Sequence, residues 1–392
     1  METLRYGIGI DIAKDKFDCC ISTITHMQVV EVKAQASFAN SPSGFDAFTQ
    51  WVSKHRKLAH LPLAFLMEAT GVYYEQLAWY LHTKDCPVSV VLPNKAKKYK
   101  ESLGLKSKND RIDARGLAQM ICERAYTSWQ PLSKSLYTLR LIARQIESIT
   151  TQATATANSL HALTYGMFRD KQAEQIYAQQ LVLLEQQKQA LRLRVEQIVA
   201  ADPALQRKFV AILKIKGLGI QSLAVIVAET NGFAAFESAA QLVSYAGYDV
   251  IENQSGNREG KTSISKRGNS HIRRAMYFPA FNMVRYDVGT FPGLYERIFE
   301  RTRIKMKGYV AVQKKLLTLV YALWKKDEAF DPGYHQSLKE QASRDTELVP
   351  SLATAGKPVK KVTPAITTRV TQDKHPSKPR RMPSLADTNL PT

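Results

Sequence analysis

Cysteine is scarce and scattered, with four residues in a chain of 392 (Cys19, Cys20, Cys86 and Cys122) and neither a Cys-x-x-Cys pair nor a Cys/His ligand spacing. This argues against a disulfide framework and against a zinc site, and the thiols read as buried groups in a reducing compartment. Long apolar runs are missing as well. None reaches the roughly 18 residues that span a bilayer, and the first residues lack the basic-then-apolar layout of a secretion signal. The expectation is a cytoplasmic protein with no membrane segment. No Gly-x-x-x-x-Gly-Lys-Ser/Thr loop appears, so ATP is not expected to drive the chemistry. Acid is the minority charge: 35 Asp+Glu face 55 Lys+Arg, a surplus of +20. That surplus favours a polyanion as partner, because Lys and Arg placed on phosphates release condensed counterions. Nucleic acid is the first expectation and an acidic membrane surface the second.

Residues 4–12, 17–22 and 27–38 are rich in β-branched, aromatic and apolar side chains and are separated by turn-sized gaps, as in a meander. Residues 42–54 carry Phe45, Phe48, Trp51 and Val52 at helical spacing. Strand-like 61–67, helical 73–82, strand-like 87–92 and helical 110–123, the last capped by Asn109, complete a β-β-β-α-β-α-β-α order. This predicts an α/β domain with a mixed sheet and helices on its faces, in which ligands sit near strand ends. Beyond Trp129 the chain turns helical. Tyr177, Leu181, Leu184, Leu191, Val195 and Ile198 follow a coiled-coil seam interrupted by Lys188, which predicts a helical hairpin or oligomerisation arm bounded by Pro131 and Pro203. Residues 350–392 hold 7 of the 16 prolines, no aromatic residue, and 8 Lys+Arg against 2 Asp. Such a composition cannot bury enough apolar area to offset ordering, so a disordered basic tail is expected there. The expected division is 1–128, 129–205, 206–330 and 331–392.

Four acids stand out. Asp11 ends the first strand in Gly-Ile-Asp-Ile-Ala-Lys, Glu68 follows the fourth in Met-Glu-Ala-Thr-Gly, and Asp110 and Asp113 open a helix in Asn-Asp-Arg-Ile-Asp-Ala-Arg. The three-residue spacing of the last two puts both carboxylates on one helix face. Taken singly, Asp110 and Asp113 complement a helix N-terminus and Asp11 suits a strand-end turn. Taken together, four converging carboxylates need a cation, and Mg²⁺, which prefers hard oxygen ligands, is the natural candidate. Two such ions would suit a phosphodiester reaction.

With these motifs the sequence resembles the DEDD insertion-sequence transposases, a family related to the Piv site-specific invertase. The likeness extends to Ile215-Lys216-Gly217-Leu218-Gly219, Tyr245-Ala246-Gly247, Gln254-Ser255-Gly256, Ile264-Ser265-Lys266-Arg267-Gly268-Asn269 and Ile272-Arg273-Arg274-Ala275, and covers roughly residues 4 to 325. It implies an RNase H-like (RuvC-like) domain, then a helical arm and a mainly α-helical transposase domain with a helix-hairpin-helix-like entry. It further implies that Asp11, Glu68, Asp110 and Asp113 bind Mg²⁺ and that Ser255 attacks the DNA phosphodiester. It also implies a dimer or tetramer acting on element ends and target DNA, in some members guided by a bridge-type non-coding RNA.

Read from the residues alone, a serine in a Ser-Gly loop is a turn former. Arg258, Lys261, Lys266, Arg267, Arg273 and Arg274 lie close in sequence and are candidates to hold phosphates. A second basic run, Lys95, Lys97, Lys98, Lys100, Lys106 and Lys108, leads into the Asp110 helix and suits a nucleic-acid backbone. His271 is expected to be structural or to face a phosphate. Two rival readings remain open: a metal-dependent nuclease or junction resolvase in which water attacks, and a non-catalytic DNA-binding protein whose acids only cap helices.

Overall fold

The computed structural model describes residues 2–104, 109–251, 254–255, 258–259, 262–331 and 333, with only the backbone of 254–255 and 258–259. Strands β1 (Thr3–Ile12), β2 (Lys16–Thr25) and β3 (Val30–Ala39) form an antiparallel meander. Helix α1 (Pro42–His55) follows, then β4 (Leu63–Glu68), α2 (Glu75–Thr83), β5 (Val88–Val91), α3 (Pro93–Ser102) and α4 (Asp110–Glu123). Strand β4 lies parallel to β1 and β5 parallel to β4, which gives the sheet order β3-β2-β1-β4-β5. The expected order is present, with one addition: α3 occupies part of the basic run that reads as an irregular connection. Its mean hydropathy is very low and only Ala96 and Tyr99 are buried, so it carries little apolar periodicity.

The sheet is covered on both faces. Ile8, Ile10, Ile12, Phe17, Phe65 and Met67 pack with Phe45, Phe48 and Val52 of α1 and Leu77, Ala78 and Leu81 of α2. On the other face Leu66 and Val91 pack with Tyr99 of α3 and with Leu117, Met120 and Ile121 of α4, and Cys20 packs with Ala114 and Ala118. Cys19, Cys20 and Cys122 are buried as expected, Cys86 is only half-buried, and all four are free of disulfides.

Helices α5 (Lys134–Tyr165) and α6 (Lys171–Ala201) form the long hairpin. Leu184, Val195 and Ile198 of the seam are buried, whereas Val182, Leu183 and Leu193 outside it are more than half exposed. The remaining elements are α7 (Pro203–Ile212), α8 (Ile220–Glu229), α9 (Ala239–Tyr245), β6 (Val250–Ile251), β7 (Gln254–Ser255), β8 (Arg258–Glu259), β9 (Ser263–Ile264), α10 (Ser270–Ala275), α11 (Tyr277–Arg285), α12 (Phe291–Thr302) and α13 (Lys305–Lys326). One continuous core joins Leu139 of α5, Val195 of α6, Phe209, Leu223, Met276 and Leu316. Residues 1–332 form one compact unit. The expectation of a disordered tail concerns residues outside those described.

Candidate functional site

Strand alternation decides which side chains meet. Successive residues of a strand point to opposite faces. Ile8, Ile10 and Ile12 of β1 pack under α1 and α2, so Gly7, Gly9 and Asp11 face α4. On β4, Phe65 and Met67 belong to the α1/α2 side, so Leu66 and Glu68 face the other. The parallel register pairs Gly9 with Leu66 and Ile10 with Met67. One step further along both strands stand Asp11 and Glu68, neighbours on the α4 face.

The helix reaches them because of two glycines. A Cβ on Gly9 would lie 2.1 Å from both the Ala114 carbonyl oxygen and the Ala118 nitrogen, and one on Gly7 would lie 2.6 Å from Cys122 Sγ. Helix α4 therefore rests directly on the β1 backbone, with its N-terminus beside Asp11. The Asn109 side chain caps that end by accepting from the Ile112 N–H at 2.8 Å. Gly7, Gly9 and Ala114 set the close approach of α4 to β1, and sequence reasoning missed them. Their signal was alternation of glycine with isoleucine in a buried strand.

The four acids form one electrostatic group. Burial pushes the Asp11 carboxyl up to about 6, Asp113 pushes the same way, the Lys100 ammonium opposes this, and Asp110 and Glu68 add to the rise. A fifth acid belongs here. Asp18 stands opposite Asp11 in the β1–β2 register, its side chain is 5% exposed, and it accepts from the Ser37 hydroxyl. Two ammonium groups answer these charges. Lys16 Nζ lies 3.2 Å from Asp18 and 3.4 Å from Asp110, and Lys100 Nζ lies 2.9 Å from Asp113 and 3.6 Å from Glu68. Five carboxylates and two ammoniums leave a formal −3, and the donors are all hard carboxylate oxygens, so the donor chemistry fits Mg²⁺. Among the described residues, no three His, Cys, Asp or Glu side chains stand as a ready ligand set. A lysine ammonium sits between Glu68 and Asp113 instead.

The basic candidates fall into distinct surroundings. Lys95 lies over the Tyr126 ring, Lys97 pairs in solvent with Glu101, and Lys98 is exposed. Lys100 turns inward onto the acids. Lys266 and Arg267 are exposed. Arg273 donates to the carbonyl oxygens of Ala246 (2.8 Å) and Asn269 (3.3 Å), and so braces the backbone. Arg274 and His271 both meet Glu147 of α5. Lys106, Lys108 and Lys261 lie outside the described residues, as does the Arg258 side chain. Ser255 reads from sequence as part of a loop. Its backbone instead pairs with Arg258 in a hairpin, below which Val250 pairs with Ile264. Its side chain lies outside the described structure.

Two family models match this chain. A DEDD transposase model covers residues 8–168, and a model of the IS116/IS110/IS902 transposase family covers residues 210–296. The chain belongs to the IS110 family of transposases. It is a DNA transposase or recombinase. A pilin gene-inverting protein of Moraxella lacunata is 28% identical over 332 residues, covering 84% of this chain and 98% of the relative. The transposase for insertion sequence element IS1111A of Coxiella burnetii is 23% identical over 354 residues, 83% of this chain and 91% of the relative. A crystal structure of the Aquifex aeolicus Ppx/GppA family member aligns over 48% of this chain at 10% identity with a TM-score of 0.19, too slight a likeness to inform the fold. No helix among the described residues is long and apolar enough to cross a membrane.

Within the second matched segment, the residues of the resemblance meet at one node. A Cβ on Gly268 would lie 2.4 Å from the Tyr245 carbonyl oxygen and 2.6 Å from the Gly247 nitrogen. The Asn269 N–H donates to that same Tyr245 oxygen at 2.7 Å, and its side chain caps α10 and donates to Glu229 at 2.8 Å. The blocks around Tyr245 and Gly268 thus fix the base of the arm that carries Ser255.

Proposed function

We propose that this transposase cuts and rejoins DNA at the ends of an insertion sequence and at its target, using a Mg²⁺ site and Ser255. The N-terminal part would be the RuvC-like, RNase H-like domain, with Asp11, Glu68, Asp110 and Asp113 holding two Mg²⁺ ions. The observation that carries this reading is the convergence of four acids from three separate segments around a half-buried Asp11 whose carboxyl is pushed up to about 6. When bound, Mg²⁺ supplies positive charge that neutralises these acids and offsets charge developing at the phosphodiester.

The remaining roles belong to the protein's own residues. The Ser255 hydroxyl attacks phosphorus, forming a serine–phosphate bond as the phosphorus–oxygen bond to the deoxyribose breaks. The serine proton is lost to solvent and the departing oxygen takes one up. The strand stays covalently held until a deoxyribose hydroxyl attacks the same phosphorus and releases the serine, which conserves the bond energy without ATP. Exposed Lys266, Arg267 and Lys98 suit phosphate contacts. Tyr165, Met167 and Phe168, each more than three-quarters exposed near the hairpin tip, support a dimer or tetramer. A bridge-type RNA that pairs with donor and target DNA is the partner we propose for site choice. Inversion of a DNA segment, as the name of the Moraxella relative states for that protein, would use the same bond chemistry.

The test is trapping of a protein–DNA adduct on a denaturing gel with Mg²⁺ and element-end DNA. Ser255→Ala and Asp113→Asn should each lower adduct and strand transfer by more than about a thousandfold. Strand transfer that survives Ser255→Ala but not Asp113→Asn would assign the attack to water. Survival of both would leave a DNA-binding protein without this site.

A further inference from the structure

Among the described lysines of the basic run, Lys100 differs in surroundings from the rest. Its side chain is only 16% exposed, while that of Lys97 on the same helix is 73% exposed. Its stem lies in a slot built for it. A Cβ on Gly116 of α4 would lie 3.0 Å from Lys100 Cγ and 3.3 Å from Cδ, so the absence of a side chain there lets the lysine pass along the helix to its N-terminal end. The ammonium then bridges Asp113 at 2.9 Å and Glu68 at 3.6 Å. Half-buried carboxylates held near one another repel unless a cation lies between them. The bridging position is therefore the one that an ion shared by Glu68 and Asp113 requires, and a lysine fills it.

We infer that Lys100 is the resident counter-ion of the acid cluster, a positioning residue that holds Glu68 and Asp113 together before metal arrives and is displaced when metal binds. This rests on the metal reading above. Metal and lysine compete for the same two carboxylates, so the protein's affinity for a divalent ion is set partly by the lysine. Because the ammonium is spent on carboxylates, Lys100 does not serve nucleic acid while metal is absent. The protein thereby keeps the cluster assembled without metal, at the cost of weaker metal binding.

The test is titration of the full-length chain with Mn²⁺ alone, read by electron paramagnetic resonance of the free ion, with far-ultraviolet circular dichroism as the control for folding. Lys100→Met keeps the stem and removes the charge, and should bind Mn²⁺ roughly tenfold more tightly than the natural chain. Lys100→Gln leaves a donor for the two carboxylates without the charge and carries the same expectation, should the methionine variant not fold. In metal-free buffer both variants should bind duplex DNA as the natural chain does, whereas Lys98→Met should bind it more weakly. Unchanged or weaker Mn²⁺ binding in a folded Lys100 variant, beside normal binding by the natural chain, overturns the role of the lysine and leaves the metal site standing. Mn²⁺ binding by none of the proteins overturns both. Loss of metal-free DNA affinity with Mn²⁺ affinity unmoved makes Lys100 a phosphate contact and rejects the inference.

Discussion

Glu229 has a side chain only 3% exposed, an environment that penalises its charge. Burial alone would raise its pKa. The Arg144 guanidinium, donating through Nε at 2.7 Å and Nη2 at 3.0 Å, and the Asn269 amide at 2.8 Å outweigh burial and hold the carboxyl below its ordinary value. A depressed folded-state pKa adds stability that is present at neutral pH and is lost as pH falls through the acid range. Arg144→Met removes the guanidinium that answers Glu229 and leaves the buried carboxylate with the Asn269 amide as its remaining side-chain hydrogen-bond donor. It should cost about 3 kcal/mol at pH 7. Without its partner the carboxyl takes up a proton more readily, so the deficit should shrink towards pH 4. Urea unfolding at the two pH values checks both parts. An equal deficit at pH 7 and pH 4 would mean that packing of the arginine stem, and not its charge, is what matters.

At the scale of elements, the decisive contact is that of β1 with α4, because it brings Asp113 and Asp110 to Asp11. Gly9→Ala places a methyl group where the Ala114 carbonyl oxygen and the Ala118 nitrogen already sit, both backbone atoms that cannot rotate away. The helix must lift. The variant should lose about 3 kcal/mol or more of stability, of the order of other overpacked or strained core sites, and its Mn²⁺ affinity should fall as Asp113 moves from Asp11 and Glu68. Thermal unfolding and Mn²⁺ titration together check this; a stable Gly9→Ala protein with unchanged Mn²⁺ binding would show that the close approach is not what assembles the cluster. Much of this architecture is legible in the sequence, because alternating apolar strands and the Asn109 cap are local signals. The order of β1 to β5 with α1, α2 and α4 follows from them, and α4 begins and ends where its pattern says. What was not legible has physical reasons. Helix α3 lacks an apolar face long enough to show, and the inward turn of Lys100 depends on where that helix starts. Asp18 becomes a neighbour of Asp11 only through the β1–β2 register. The ladders β6–β9 and β7–β8 consist of two-residue strands in a segment rich in Gly, Asn and Ser, which reads as a loop.

At the scale of the molecule, α5 is the beam that joins the sheet to the helical core. Tyr137, Arg140, Arg144 and Glu147 recur every three or four residues and therefore share one face of the helix. The first two hold Glu75 of α2, the Tyr137 hydroxyl donating at 2.6 Å and Arg140 Nη2 at 2.8 Å, where Arg140 and Glu75 are each less than a fifth exposed. Arg144 holds Glu229 of α8, and Glu147 receives His271 and Arg274 of α10. The start of α2 and the base of the Ser255 arm are thus connected through consecutive turns of one helix. Between Tyr137 and Arg140 on the same helix, Leu139 is part of the helical core, so α5 itself cannot separate from that core without unfolding it. Among the described residues, the side-chain hydrogen bonds of α5 to the α/β part all end on Glu75. Arg140→Met combined with Tyr137→Phe leaves Glu75 half-buried without either donor and should lower stability of the α/β part by about 3 kcal/mol, while the core around Phe209, Leu223 and Leu316 keeps all its contacts. With those contacts removed the two cores should melt apart, so differential scanning calorimetry should show one transition in the natural chain and two in the double variant, the lower of them from the α/β part. A single transition that merely shifts downward would show that α5 couples the halves through its apolar face, and that the Glu75 contacts add stability without setting how the halves move together.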